Sequence, residues 1–581
     1  MPEMLLPENT DAVVEEVASK ISRFDSSMSN LLEEREMFWD MYRGVPKLAH
    51  NREKTEGNAN IAASTMQEAV ETLTGTIYAM LTAADPNFSV TGLSGDSPPD
   101  ALRKVSHLLR YQRQRVGYKS KLLPAIRSAV INGSVFIDQP WISWPSGTLP
   151  VWEATGFKVK PMHQVFWQPS AVDIKESDYI GTVDAVTRSQ IRRMAAGDPK
   201  ESVWIKAGVD ESLADGESND MMPEEVKRKL ESLGYTDFKD SRELAIYWGP
   251  LESEGINTDM VVGLVNRKHL VRYHPSPYPW GLRPIMHCPY ISTENEPAGL
   301  GVGHQMKEIQ KWINSNLNRS MDVVTFSLLN MFIASRYAGL KYQNLKVRPW
   351  NVIEVDDING IKNLVPDVNS ASYGLKIYEL LVEMARNSTG ATPTLQAVIT
   401  EASASEVRIA QNNSIRRVSN TAEIMAETLI REHLIFSHYS NVKFLDRPIW
   451  MRVAGVEEPL RIFPGDINHQ IDIDVKIVTD KDFTPQTIKN YLQLLQILTS
   501  VRNQIPANVN LLPIIEDLVV KLGSDPSKIF TPTAPTPPNP QALLGLLQKD
   551  AAMRQGPAGP VESANVAMGG VNGIQGLEGG I

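Results

Sequence analysis

Cysteine is nearly absent from this chain of 581 residues: Cys288 stands alone. That excludes an intramolecular disulfide and any zinc site built on cysteines, and it fits a reducing compartment. Its setting, Met286-His287-Cys288-Pro289-Tyr290, has a neighbouring histidine but no nucleophile signature, so it reads as a buried structural thiol. Positive charge is also in deficit. Lys and Arg number 58 against 68 Asp and Glu, a net charge of −10, which argues against a protein that grips nucleic acid with its whole surface. Long apolar runs are missing. Residues 321–335 are too short to span a bilayer, and residues 529–548, though uncharged, contain five prolines and read as a linker. The acidic, Pro-punctuated start of the chain predicts no signal peptide.

Catalytic signatures are missing too. The sequence has no G-x-x-x-x-G-K-[ST] and no Gly-Lys dipeptide, so no P-loop motor is expected. It has no G-x-S-x-G elbow and no H-E-x-x-H helix. Gly299-Leu300-Gly301-Val302-Gly303 precedes a helix, but its third glycine comes one place early and a Pro-rich loop stands before it. It reads as a flexible approach to a helix, not a dinucleotide site. The pairs His269/His274 and His433/His438 lack a supporting ligand set. Asp356-Asp357 and Asp480-Lys481-Asp482 lack a calcium-binding loop and read as solvated turns. No metal, cofactor or active site is expected.

What is present is ordinary globular material, 42% hydrophobic and 22% charged, enough for several cores. Apolar stripes predict helices over about 11–43, 60–83, 100–116 and 121–132. Residues 133–187 and 243–273 read as strands, the latter turning at Glu254-Gly255, with a short basic helix at 189–196. Residues 207–222 read as a loop and 223–233 as a charged helix. Three further helices are predicted at 302–332, 374–386 and 401–433. The segment 333–373 reads as short strands, and 387–394 as an uncharged loop. Strands return at 449–479, including the alternating Ile471-Asp472-Ile473-Asp474-Val475. Helices follow at about 484–504 and 511–522, and a Pro/Gly-rich tail begins at Thr531. The class is α+β, mostly helical.

The order of these features resembles the portal proteins, or head-to-tail connectors, of tailed double-stranded DNA bacteriophages. The resemblance covers about residues 15–525 and rests on ordered weak motifs. These are Trp39-Asp40-Met41-Tyr42-Arg43-Gly44, Ala84-Asp85-Pro86-Asn87-Phe88, Ala129-Val130-Ile131-Asn132-Gly133-Ser134-Val135, the 301–316 helix with Gln310 and Asn314, and Glu401-Ala402-Ser403-Ala404-Ser405-Glu406. The family often carries Thr-Ala-x-Glu where this chain has Ser403-Ala404-Ser405-Glu406.

The resemblance implies a portal fold assembling as a ring of about twelve subunits around a DNA channel. Residues 1–301 and 399–475 would make the wing, 302–332 and 374–386 the stem, 333–373 the clip, 387–398 the tunnel loop, 476–530 the crown and 531–581 a flexible tail. Thr389, Gly390, Thr392, Pro393 and Thr394 would line the constriction. Lys307, Lys311, Arg319, Arg336, Lys341, Lys346 and Arg348 are candidates to face DNA from the stem and clip. Implied partners are other copies of the chain, double-stranded DNA, terminase, major capsid and scaffolding proteins, and head-tail adaptor or tail proteins, but no membrane. The implied location is the portal vertex of the virion, after assembly in the host cytoplasm. No catalysis is implied. The competing readings are another ring-forming adaptor or tail component, and a cytosolic multidomain α+β enzyme.

Overall fold

The computed structural model describes residues 6–45, 59–83, 87–93, 98–144, 152–196, 203–214, 241–278, 281–294, 297–328, 331–334, 361–364, 368–391, 418–451 and 460–475. The chain divides into two units, Met1–Asp482 and Phe483–Ile581, and every described residue lies in the first. The predicted helices at 223–233, 484–504 and 511–522 therefore lie outside the described residues.

The first long stripe is two helices, not one. Helix α1 (Thr10–Ser27) starts where the Asn9 side chain accepts from Ala12 N at 3.2 Å. Helix α2 (Ser29–Arg43) follows after a break at Met28 (φ −105°, ψ 7°). Serines surround the break. Ser26 Oγ donates to Arg23 O at 3.0 Å and Ser29 Oγ to Ser26 O at 3.4 Å, and such side-chain bonds compete with the helix ladder. The break matters because the two stripes enter different cores. Val13, Val17, Ile21 and Phe24 of α1 pack against a sheet, whereas Phe38 of α2 joins a helical core. Gly44 ends α2 in the left-handed region, as its position after the stripe predicts.

That helical core is built by α3 (Thr65–Thr82), α4 (Pro99–Val116) and α5 (Tyr118–Asn132). The chain turns between α4 and α5 at Gly117 and leaves α5 at Gly133, both at positive φ. Strand β1 (Phe88–Gly92) lies between α3 and α4 in sequence.

Strand β2 (Ser134–Asp138) sits between β5 (Lys158–Lys160) and β11 (Ile285–Pro289), while β3 (Trp141–Trp144) and β4 (Trp152–Thr155) form a hairpin. A five-stranded antiparallel sheet has the order β10-β9-β8-β7-β6. Its strands are β6 (Val165–Trp167), β7 (Ile180–Thr187), β8 (Ser241–Leu251), β9 (Ile256–Val265) and β10 (His269–Pro275). The predicted turn at Glu254-Gly255 joins β8 to β9, with Gly255 at φ 65°. Helix α6 (Arg188–Ala195) covers one end of this sheet beside α7 (Lys206–Ala214). Helix α7 replaces the loop expected to start at 207. Gly208 lies so close to β10 that a Cβ there would stand 1.8 Å from Leu270 O, so its glycine serves close packing, not a turn.

Helix α8 (Val302–Leu328) and helix α9 (Val368–Thr389) pack along one another as an out-and-back excursion. Strands β12 (Met331–Ala334) and β13 (Ile361–Leu364) pair antiparallel between them. The expected helix to 332 thus ends four residues early, because Met331-Phe332-Ile333 take up strand pairing; a short apolar run suits either period. The expected 374–386 helix is longer at both ends.

Residues 418–426 are helical and continue through a π-helical turn at Glu427–Glu432 into α10 (His433–Phe444), past the predicted end at 433. Strands β14 (Ile449–Met451) and β15 (Leu460–Ile462) form a hairpin. Strand β16 (Ile471–Val475) pairs with β1 across nearly the whole described sequence. Leu429, Ile430, Leu434, Ile471 and Ile473 consequently share one core with α3, α4 and α5. The architecture is α+β, and the sheets among the described residues form no closed barrel.

Candidate functional site

The glycine run before α8 is a backbone contact. A Cβ on Gly133 would stand 2.0 Å from Gly299 O, and one on Gly301 2.4 Å from Gly133 N. A Cβ on Gly303 would meet the Phe38 ring at 2.4 Å. Ser134 Oγ accepts from Gly299 N at 2.9 Å, and Tyr290 N donates to Gly133 O at 2.8 Å. The root of α8 is therefore seated on the α5–β2 corner. The dinucleotide reading is set aside by a packing role, and so is the flexible approach expected from the sequence.

Beside this seat lies an ion cluster that joins α2 to α8. Lys307 Nζ bonds Glu34 Oε1 at 2.7 Å, and His304 Nε2 is 3.5 Å from Glu34 Oε2. Buried Arg35 donates to His304 Nδ1 at 2.9 Å and to Gly299 O at 3.4 Å. Burial, then the Arg35 charge, pushes the His304 imidazole down to about 4, so it is neutral near pH 7 and its Nδ1 accepts. Burial works to raise the Glu34 carboxyl, but the Lys307 hydrogen bond and nearby cations outweigh it and hold the group below the usual carboxylate range.

The candidate basic residues thus separate. Lys307 is committed to Glu34. Lys311 pairs with Glu308 at 3.0 Å on its own helix, with both side chains largely exposed. Arg319 is exposed, and no described residue pairs with it. Arg336, Lys341, Lys346 and Arg348 lie outside the described residues. So do Thr392, Pro393 and Thr394 of the uncharged loop. Thr389 and Gly390 come together as the end of α9. The buried Thr389 hydroxyl donates to Ala385 O at 2.9 Å, and Gly390, at φ 79°, returns its N–H to Arg386 O at 3.0 Å.

A second set of residues on α8 is more ordered than the sequence suggests. Gln310, Asn314, Asn318 and Asp322 recur every fourth residue and hold the extended segment 59–63. Ala59 N donates to Asp322 Oδ1 at 2.7 Å, Ile61 N to Asn318 Oδ1 at 2.7 Å and Ala63 N to Asn314 Oδ1 at 3.0 Å. Gln310 Nε2 and Asn318 Nδ2 donate back to Ala63 O and Ile61 O, each at 2.9 Å. The match is geometric. Four helical residues rise about 6 Å and two extended residues about 6.6 Å, so every second N–H meets every fourth side chain. Sequence reasoning singled out Gln310 and Asn314 but not the four-residue polar period, which is the readable signal.

Cys288, His433, His438 and Tyr118 hold structural positions. Cys288 is buried, and burial pushes its thiol up to about 12, which removes it as a nucleophile near neutral pH. His433 bonds Gln139 at 2.7 Å and His438 bonds His469 O at 2.8 Å. At the π turn the buried Tyr118 hydroxyl donates to Leu429 O at 2.8 Å, tying the 418–444 helix to α5. Among the described residues, no group of His, Cys, Asp or Glu is placed to hold a metal ion, and no helix is long and apolar enough to cross a membrane.

A family model described as phage SU10 portal protein matches residues 153–556. The chain belongs to this portal protein family. The portal match begins in β4, runs through the five-stranded sheet and includes the whole α8–β12–β13–α9 excursion. No curated protein matches the chain.

Proposed function

We propose that the chain is the subunit of a phage portal: about twelve copies form a ring at one capsid vertex, and the genome enters and leaves through the axial channel. The observation that carries this is the portal-family match over 153–556, which takes in the helix–strand–helix excursion. In this reading α8 and α9 are the stem, and the segment between them, carrying β12 and β13, is the clip. The tunnel loop is 387–398, opening in the last turn of α9 and including Thr389 and Gly390. The wing combines 1–301 with 399–475, the crown is 476–530 and the tail is 531–581. The clip end docks terminase and later head-tail adaptor or tail proteins, and capsid and scaffolding proteins surround the wing. Assembly takes place in the host cytoplasm, and the working location is the virion.

The role is structural and needs no catalysis. A conduit must pass DNA without gripping it, and phosphate contacts dominate grip. The net charge of −10 and the pairing of Lys307 with Glu34 and Lys311 with Glu308 both reduce it. Negative-stain imaging of the purified full chain tests the reading. Rings with an axial hole are expected, and monomers at high concentration would overturn it.

A further inference from the structure

Helix α9 leaves one stripe uncovered. Tyr373, Ile377, Leu380 and Met384 are 66%, 50%, 57% and 49% exposed. Their 4-3-4 spacing is that of a packing seam. It lies one residue away from the parallel stripe Gly374, Tyr378, Leu381 and Ala385, which packs on α8 and the core. Asn316 Nδ2 bonds Gly374 O at 2.5 Å and fixes the phase of α8 against α9. With that phase, Trp312, 61% exposed, lies on the same side of the hairpin as the uncovered stripe. Five half-exposed side chains of this size make a patch on the order of 500 Å², large for a surface that stays solvated.

Three further residues bear on this patch. Arg319 flanks the patch on α8, seven residues beyond Trp312 and on the same helix face, and no described residue pairs with it. On the opposite side of α9, Leu375 is 49% exposed, and the exposed Glu379 forms no ion pair with a described residue, although the exposed Lys376 stands one turn before it. The hairpin thus carries a large apolar surface with a cation on one side, and an apolar residue with an anion on the other.

We infer that this patch is a stem-to-stem contact with a second copy of the chain: Trp312, Tyr373, Ile377, Leu380 and Met384 seat on the neighbour's Leu375 side, and Arg319 pairs with the neighbour's Glu379. The two surfaces differ and lie on opposite sides of one hairpin. The contact is therefore head-to-tail, the kind that closes into a ring and not into a two-fold dimer. The inference rests on the portal reading and adds the interface to it. It also moves Arg319 from the channel wall to the subunit boundary.

The test uses the full chain. Ile377→Glu/Leu380→Glu removes the apolar seam at exposed positions, so the subunit keeps its circular dichroism spectrum while its ring is lost at concentrations about tenfold above those at which the wild type is assembled. Arg319→Glu and Glu379→Arg each weaken the ring, and the two together in one chain restore it. A photo-crosslinker at position 380 yields chain-to-chain products. If the wild type forms rings and the Ile377/Leu380 variant forms them equally well, the inference fails and the portal reading stands. Crosslinks confined within one chain also overturn it, since a segment of the same chain then covers the patch. If the wild type forms no ring, the portal reading fails first and takes this contact with it.

Discussion

Asn318 and Ile61 exchange two hydrogen bonds: the Ile61 N–H donates to Asn318 Oδ1 at 2.7 Å, and Asn318 Nδ2 donates to the Ile61 carbonyl at 2.9 Å. A side-chain amide here does what a neighbouring strand does in a sheet. Asn318 reads the backbone of the 59–63 segment and ignores its sequence. Asn318→Ala leaves one donor and one acceptor without partners, at a cost of about 1–3 kcal/mol. Thermal unfolding of the variant should show a clear drop in melting temperature. Ile61→Ala, which keeps both bonds, should barely shift it. Equal effects of the two changes would contradict the ladder.

Gly133 and Gly301 tolerate no Cβ. At Gly133 the added atom would fall 2.0 Å from Gly299 O, with φ at +84° besides. Gly133→Ala and Gly301→Ala should each reduce soluble yield severely, consistent with a loss of more than about 3 kcal/mol. Gly465→Ala is the control, because a Cβ there meets nothing within 4 Å. Wild-type solubility for Gly133→Ala would refute the seating of α8 on the α5–β2 corner.

Stability should fall on mild acidification. Burial holds His304 and His287 down to about 4 and His433 to about 3, against an ordinary value near 6.5. A depressed imidazole contributes stability that is present above the unfolded value and lost as the pH falls toward the folded one. The Glu34 carboxyl, also depressed, acts in the same direction at lower pH. The melting temperature should therefore decline from about pH 6.5 to pH 4. His304→Gln should make that decline shallower, and a slope unchanged by the substitution would rule His304 out as a contributor.

Cys288 should be inert in the folded protein. Its thiol is buried on β11 and pushed up to about 12. A thiol-reactive dye at pH 8 should label one site per chain only after denaturant is added. Prompt labelling of native protein would show that β11 opens readily.

Much of the helical scaffold was legible, because Val17, Ile21 and Phe24, or Leu108 and Leu109, fall on stripes that only a buried helix face explains. The misses have physical causes. Met28 continues the stripe of α1, so the break there shows only in the serine side-chain bonds around it. Gly208 looked like a loop residue but fits α7 against β10. Of the Gln310-to-Asp322 series only Gln310 and Asn314 stood out, since polar spacing cannot say whether water or backbone is the partner. Of the candidate site residues, Lys307 looked free because Glu34 lies 273 residues away in sequence. The uncovered stripe on α9 ran the other way. Tyr373, Ile377, Leu380 and Met384 have core chemistry, and only the folded chain shows that nothing described covers them.

The pairing of β1 with β16 sets a clock on synthesis. Phe88 meets Val475 and Gly92 meets Ile471, so the partner of β1 leaves the ribosome only after nearly 400 more residues have been made. At about 5–20 residues per second that delay is roughly 20–80 s. Throughout it, α3, α4 and α5 lack the Ile471 and Ile473 side chains that finish their core, and β1 offers an unpaired edge. Every nascent chain thus passes through a period in which its α3–α5 core is unsealed along β1.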